Sequence, residues 1–302
     1  MTSVAKQLAF TVPSSVTRTT SSFEVKNSKV VADIYRPKES KTGLPAIVFS
    51  GALSAVKEQS TGAYGSALAS RGFVCISLDH RGFGESEGEP RQYENYEIKI
   101  EDLHAAVDWV VSGAVEGVDT KRIGVCGVCL GAAYAVGMAV ETPSVLSAGF
   151  VVPLFMRKGT PSAQSIAARK LYEETGEVQM IKAASVTEDA AMPMQIAVDY
   201  YSDPERALVA NYRNEIALMS REKWNEFDSP GLATKFSLPM LMIHGKQSFA
   251  KDSGVAFFKK SSSTDKKLEW IDSLPHTDFY DNPKAIKDIV GQLADHFGRT
   301  LA

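Results

Sequence analysis

The chemistry this chain could perform begins with a thiol in a turn. Cys129 stands at the centre of Gly127-Val128-Cys129-Leu130-Gly131. Residues 122–126 just before it are short, apolar and branched, as a buried strand is. Residues 132–140 just after it are small and apolar and favour a buried helix. The pentapeptide therefore spans a strand-to-helix turn. Small residues two before and two after Cys129 let the backbone turn sharply and hold the side chain proud of a sheet. This is the geometry of a nucleophile elbow, G-x-S-x-G, with sulfur in place of oxygen. A cysteine buried at a glycine-rich turn can also be inert packing, as Cys126 is expected to be. The strand–turn–helix context favours the nucleophile.

A nucleophilic thiol needs a base, because the thiolate is the reactive species. Histidine suits that task near neutral pH. Of the five histidines, His296 is expected on the surface of a C-terminal helix, and His104 in a helix far from the strand ends. His80 and His244 directly follow strands but adjoin glycine-containing turns, where bracing roles are expected. His276 lies in a loop between the last strand and the last helix. It is the candidate base, with packing against Phe279 as the alternative.

The elements that must position these groups follow from hydrophobic period. Residues 1–21 read as a polar lead-in, and 23–25 and 30–37 as two strands of a hairpin turning at Asn27-Ser28. Residues 44–50 form a buried strand, followed by the small-residue loop Gly51-Ala52-Leu53-Ser54-Ala55. Residues 73–78 form the next strand, 98–111 a helix, and 148–155 a further strand. Strands alternating with helices imply a mostly parallel sheet covered on both faces. The alternation stops at residues 157–236, which are Met-rich and broken by prolines. Helices are expected there near 166–172, 196–201 and 214–224. The strand pattern returns at 238–245 and 267–271, and a helix closes the chain from about residue 283 to 297. Residues 1–156 and 237–302 thus read as one core, and 157–236 as a helical cap.

Composition bounds the function. The chain has 302 residues, 44% hydrophobic and 23% charged, with a net charge of −3. No basic patch suggests nucleic acid. No signal-peptide core and no apolar run of about 18 residues is seen, so no membrane association is expected and a cytoplasmic location is. Three cysteines, Cys75, Cys126 and Cys129, are too few and too strand-bound for a disulfide framework. No cofactor and no metal is expected.

Taken together, the chain resembles the α/β-hydrolase superfamily over nearly its whole length. Within it, the chain is similar to the cysteine-nucleophile enzymes: dienelactone hydrolase broadly, and more closely bacterial hydrolases and fungal polyketide transferases or thiohydrolases. The residues that carry the resemblance are Val56-Lys57-Glu58-Gln59, the turn from Asp79-His80-Arg81-Gly82 through Glu89-Pro90, the cysteine elbow, Asp199-Tyr200-Tyr201, and His276-Thr277-Asp278-Phe279-Tyr280-Asp281. The resemblance implies an α/β-hydrolase fold, with nucleophile, acid and histidine in that chain order. It implies an oxyanion hole made by the backbone N–H of Leu130 and a second donor from Ala52 or Leu53. The helix dipole and these donors should depress the pKa of Cys129.

The acid is where the sequence departs from that pattern. His244-Gly245-Lys246-Gln247-Ser248 carries serine where aspartate is expected. Glu58, Asp278 and Asp252 are the candidates for a third member or a supporting group. A Cys129–His276 dyad would be chemically sufficient. Met180, Met192 and Met194, with Tyr200, Tyr201 and Trp224, could line an adaptable pocket or simply dock the cap. The implied activity is covalent acyl chemistry on the ester, thioester or lactone carbonyl of a small-molecule substrate with a medium-sized apolar acyl group, through an acyl-thioester enzyme. Acyl transfer or cyclisation, carbon–carbon hydrolysis or lysis, and a non-catalytic ligand-binding relative are the alternatives, and a homodimer is left open.

Overall fold

The branched apolar runs pair into one eight-stranded sheet. In this computed structural model, residues 8–39, 42–272 and 274–302 are described. Its strands are β1 (Val16–Val25), β2 (Ser28–Pro37), β3 (Leu44–Ser50), β4 (Val74–Leu78), β5 (Val118–Val128) and β6 (Val145–Val151), followed after the insert by β10 (Met240–Gly245) and β11 (Lys266–Ile271). They lie in the order β1-β2-β4-β3-β5-β6-β10-β11. β1 and β2 pair antiparallel, as do β2 and β4. Every other neighbour in the sheet is parallel. All five residues of β4 are buried, so both faces of the sheet are covered there.

The covering helices are α1 (Ser60–Ala69), which packs on α9 (Pro283–Thr300), and α2 (Tyr96–Val111), which packs on α3 (Gly131–Ala139). α2 is capped by the Asn95 side chain, which accepts from the N–H of Glu97, and α9 by Asn282. This is the α/β-hydrolase fold, with a mostly parallel central sheet.

Two expectations need correction. Residues 16–21 are not a lead-in: they belong to β1, whose hairpin turns at Lys26 and Asn27, both at positive φ. Residues 17–22 are half-buried or exposed on an edge strand, so they lack the apolar alternation that would mark them. Nor is the insert purely helical. It holds α4 (Ala163–Thr175), β7 (Met180–Ala184), β8 (Ala190–Met192), α5 (Gln195–Tyr201), β9 (Glu215–Ala217) and α6 (Ser220–Glu226). β7 pairs parallel with β8 and antiparallel with β9, making a small second sheet. Strands of three to five residues are too short to show a period. Among the described residues, no helix is long and apolar enough to cross a membrane.

The elbow is made by space as much as by sequence. Cys129 has φ +53, a left-handed conformation rare for a side-chain-bearing residue. Its N–H donates to the Val151 carbonyl at 3.1 Å, and its own carbonyl accepts from Leu154 N–H at 3.0 Å. A Cβ at Gly131 would overlap the carbonyl oxygens of Ser50 and Gly51, and one at Gly127 would overlap the backbone of Ala132. Backbone cannot yield as a flexible side chain can. Gly131→Ala is therefore expected to cost about 2–3 kcal/mol in a urea melt. A loss below about 0.5 kcal/mol would show that the turn is looser than this packing implies.

Candidate active site

Three segments meet at the sulfur. Cys129 follows β5 and is 5% exposed. The N–H of Leu130 is directed at its sulfur, which places one donor where an oxyanion would form. The loop after β3 brings up Ala52 and Leu53, whose N–H groups donate to no acceptor among the described residues. That loop is clamped on both sides. Ser54, at φ +57, donates its N–H to the Glu94 carboxylate at 2.9 Å, and the Leu53 carbonyl accepts from Tyr201 Oη at 3.2 Å. Glu94 is itself buried, held by Lys99 Nζ at 2.6 Å and Tyr134 Oη at 2.8 Å.

The third segment follows β11. His276 is buried, and its Nδ1 lies 2.6 Å from Ser248 Oγ. Its Nε2 lies 2.8 Å from Tyr280 Oη, and the Tyr280 side chain also neighbours the Cys129 thiol, whose pKa it lowers. Among the described residues no hydrogen bond joins Cys129 to His276 directly, and Tyr280 neighbours both. Tyr280 lies one helical turn beyond His276, across the short helix α8 (Asp278–Asp281), and that four-residue spacing puts both on one face. The spacing was the available signal for Tyr280, which the sequence alone left without a role. The Phe249 ring lies over the imidazole at 4.2 Å between centroids.

None of the three candidate carboxylates touches His276. Glu58 accepts from Lys57 Nζ at 2.7 Å and from Asn211 of the insert at 2.8 Å. Asp278 pairs with Arg206 at 3.1 Å, and Asp281 with the same guanidinium at 2.7 Å, which ties the insert to the histidine loop. Asp252 lies in the first turn of α7 (Lys251–Lys260), past the loop that offers Ser248. The other histidines are structural. His80 faces Asp102 at 3.3 Å, His244 meets the Pro153 carbonyl at 3.3 Å, and His104 meets Thr142 at 2.9 Å. His296 is buried against Ser147 at 3.0 Å instead of lying on the surface, because the last helix turns its face to β6.

The charge state at rest also differs from expectation. Burial pushes the Cys129 thiol up to about 11, against the lowering effect of the Tyr280 and Leu130 hydrogen bonds. Burial, with His244 close by, pushes the His276 imidazole down to about 3. The resting pair is neutral thiol and neutral imidazole, not thiolate and imidazolium. Desolvation outweighs the helix terminus here because the Cys129 side chain is almost entirely out of water. Serine at position 248 supplies no charge to oppose it.

The depressed histidine has a consequence for stability. Between its folded value of about 3 and its unfolded value of about 6.5, the unfolded chain binds more protons. Stability from this group is therefore full above about pH 6.5 and is lost as pH falls. From pH 6.5 to 5 the loss should be roughly 2 kcal/mol. Urea melts of His276→Gln should show a flatter acid limb than the parent; parallel limbs would mean that His276 is not held neutral.

Lys57, Glu58, Asp79 and Glu85 form a second polar centre beside the site. The three carboxylates come within 4.8 Å of one another, as ligands of a cation do. The Lys57 ammonium fills that role, at 2.7 Å from Glu58, 2.8 Å from Asp79 and 2.5 Å from Glu85. Of the expected pocket residues, Tyr200 and Tyr201 are buried, with Tyr200 edge-on to Tyr280 at 5.0 Å and Tyr201 stacked on Tyr212 at 5.1 Å. Met192 and Met194 pack against the core, whereas Met180 is exposed.

Known proteins place this geometry. The chain is 30% identical over 275 residues to the uncharacterized protein YcjY of Escherichia coli, covering 85% of this chain and 89% of that one. It is 27% identical over 190 residues to the polyketide transferase grgF of a Penicillium species, covering 60% of this chain and 64% of that one. The crystal structure of the hypothetical protein PA2218 from Pseudomonas aeruginosa superposes with a TM-score of 0.82 at 25% identity, over 97% of this chain and 96% of that one. Residues 47–283 match the hydrolase family described as serine aminopeptidase, S33. The chain belongs to that family, Hydrolase_4, of the α/β-hydrolase superfamily.

Proposed function

We propose that the chain is a cysteine-dependent acyl enzyme that acts on an ester, thioester or lactone through an acyl-thioester on Cys129. The observation that supports this most is the sulfur at a positive-φ turn, with the Leu130 N–H aimed at it and two free N–H groups in the facing loop. Sulfur attacks the carbonyl carbon, the carbonyl electron pair moves to oxygen, and the backbone donors hold that charge. Collapse expels the alcohol or thiol and leaves the acyl group on sulfur. The acceptor then decides the outcome: water gives hydrolysis, whereas an amine, alcohol or second thiol gives transfer or cyclisation. The deep burial of Cys129 favours an acceptor that is itself bound under the insert. A polyketide transferase among its relatives is in keeping with that outcome.

The substrate we infer is an apolar acyl group of medium size. Tyr200, Tyr201, Tyr212 and Tyr280 form a connected aromatic group of which Tyr201 and Tyr280 neighbour Cys129, and Met192 and Met194 pack against the same core. Three free cysteines suit a reducing compartment such as the cytoplasm.

The test is intact-mass analysis after mixing with p-nitrophenyl octanoate and with the N-acetylcysteamine thioester of octanoate. One octanoyl adduct per chain is expected, mapped to Cys129 by peptide mass. Turnover with no adduct on Cys129, or an adduct that maps to Cys75 or Cys126, would remove the nucleophile from the proposal.

A further inference from the structure

We propose that Tyr280 is a catalytic residue, a phenol that carries the proton between Cys129 and His276 in both directions. The inference rests on the cysteine reading above. The family pattern has the nucleophile meet its histidine directly. Here the Nε2 of His276 is already engaged by Tyr280 Oη at 2.8 Å, and the same side chain neighbours the Cys129 thiol. The imidazole is fixed at its other end by Ser248 Oγ at 2.6 Å, and Ser248 Oγ also accepts the Ala250 N–H at 3.2 Å. Tyr280 is 3% exposed, wedged edge-on against Tyr200 at 5.0 Å and against the imidazole at 5.5 Å. A side chain held on three sides is a fixed part of the path and not a passing obstruction.

The chemistry balances without any added reagent. As sulfur bonds to the carbonyl carbon, the S–H bond breaks and its proton goes to the Tyr280 oxygen. In the same step the Tyr280 O–H bond breaks and its proton goes to Nε2 of His276. The phenol ends as it began, the imidazole is protonated, and the carbonyl electron pair sits on the oxyanion. On collapse the sequence reverses: Nε2–H returns its proton to Tyr280, and Tyr280 protonates the leaving alkoxide or thiolate. Burial and neighbouring Cys129 hold the phenol far above its ordinary pKa, so it acts as a neutral conduit and never as a stored phenolate. A relay also suits a pair in which neither end ionises alone. Because the thiol and the imidazole are both neutral at rest, a proton must move in concert with carbon–sulfur bond formation.

The experiment is a double-mutant cycle on the acylation step. Tyr280→Phe, His276→Ala and the double variant are mixed with p-nitrophenyl octanoate, and formation of the Cys129 adduct is followed by quenched-flow intact mass. A relay makes the two side chains one unit. Each single change should slow acylation at least a hundredfold, and the double variant should be no slower than His276→Ala alone. Multiplicative losses would mean separate roles and would overturn the relay. So would Tyr280→Phe with parent-like or faster acylation, the result expected if the phenol merely blocks the imidazole. Phenylalanine keeps the ring and its packing, and a thermal melt checks that the fold is retained.

A second readout needs no variant. The parent's acylation rate, measured across mixtures of H₂O and D₂O, should bow downward with deuterium fraction, because two protons move together. A straight line would point to one proton and against the relay. These outcomes separate from failure of the nucleophile reading, which is judged by whether the parent adduct maps to Cys129 at all.

Discussion

Cys129→Ala is expected to abolish the acyl adduct and to lower turnover of p-nitrophenyl octanoate by about four powers of ten or more, on the order of 5 kcal/mol of transition-state stabilisation. Alanine fits the turn, since the positive φ is already borne by a residue with a Cβ, so the fold should survive. What the change removes is the only atom that can form the intermediate. The backbone donors at Leu130, Ala52 and Leu53 would remain and could still polarise a bound carbonyl for attack by water, which is why a residue of activity is expected. Cys75 and Cys126 cannot substitute. Both are buried in strands, and burial holds their thiols far above the ordinary range. Cys129 itself should not label as an activated thiolate would. With its pKa at about 11, iodoacetamide should modify it slowly at pH 7 and faster as pH rises. Turnover by Cys129→Ala within tenfold of the parent would sink the covalent mechanism.

The sheet was legible because its signal is redundant. Residues 44–50 are apolar at almost every position and sit between turn residues, so they coincide with β3. The elbow was legible for the same reason: a strand, two glycines and a small-residue helix all point to one turn. The failures lie where the deciding force is tertiary. β1 is an edge strand with a polar stretch, and its partner, not its own composition, makes it a strand. The small sheet of the insert is three short segments whose pairing no local window contains.

At the site, residue types were readable but ionisation and order were not. The position of Ser248 in the acid's place was visible in sequence, and its contact with His276 Nδ1 follows from that place. That Tyr280 neighbours both base and nucleophile required the loop to fold. The thiol is raised instead of lowered because the helix-terminus argument counts a local dipole and omits desolvation, which depends on the packing of the folded chain around Cys129. Glu58 is one of the three carboxylates that the sequence offers as a supporting group. Its actual partner, Lys57, is its immediate neighbour, and a lysine with no exposure at all is the last place a sequence reader looks.

That lysine carries the other large prediction. Its ammonium has three protons and meets three carboxylates, so every donor is used. Two of those carboxylates, Asp79 and Glu58, are as buried as the lysine, while Glu85 is half exposed. Lys57→Met keeps the stem and removes the charge. It leaves two buried carboxylates facing each other, with one oxygen of Glu58 already without a partner, and breaking a buried pair in this way costs roughly 3–5 kcal/mol. The sign with pH is definite. Burial already raises the Asp79 carboxyl to about 6 against the lowering effect of Lys57; without the ammonium it should rise further, so the variant's folded state binds more protons than the parent's in that window. The penalty is then full at neutral pH and shrinks as pH falls toward 5. Activity should fall as well, because this centre ties the loop beside the site to the segment between β6 and β10. Glu58 holds Asn211 and Gln59 holds the Ala207 carbonyl at 2.8 Å, both in the insert. The Lys57 N–H meets Asp79 at 2.7 Å, directly after the loop that carries Ala52 and Leu53. Lys57→Met/Glu58→Gln removes one of the stranded charges and should recover part of the lost stability. Urea melts of the parent, the single and the double variant at pH 7 and pH 5 decide the matter: a loss under about 1 kcal/mol at pH 7, or one that does not shrink at pH 5, would show that the carboxylates do not depend on Lys57 for their charge.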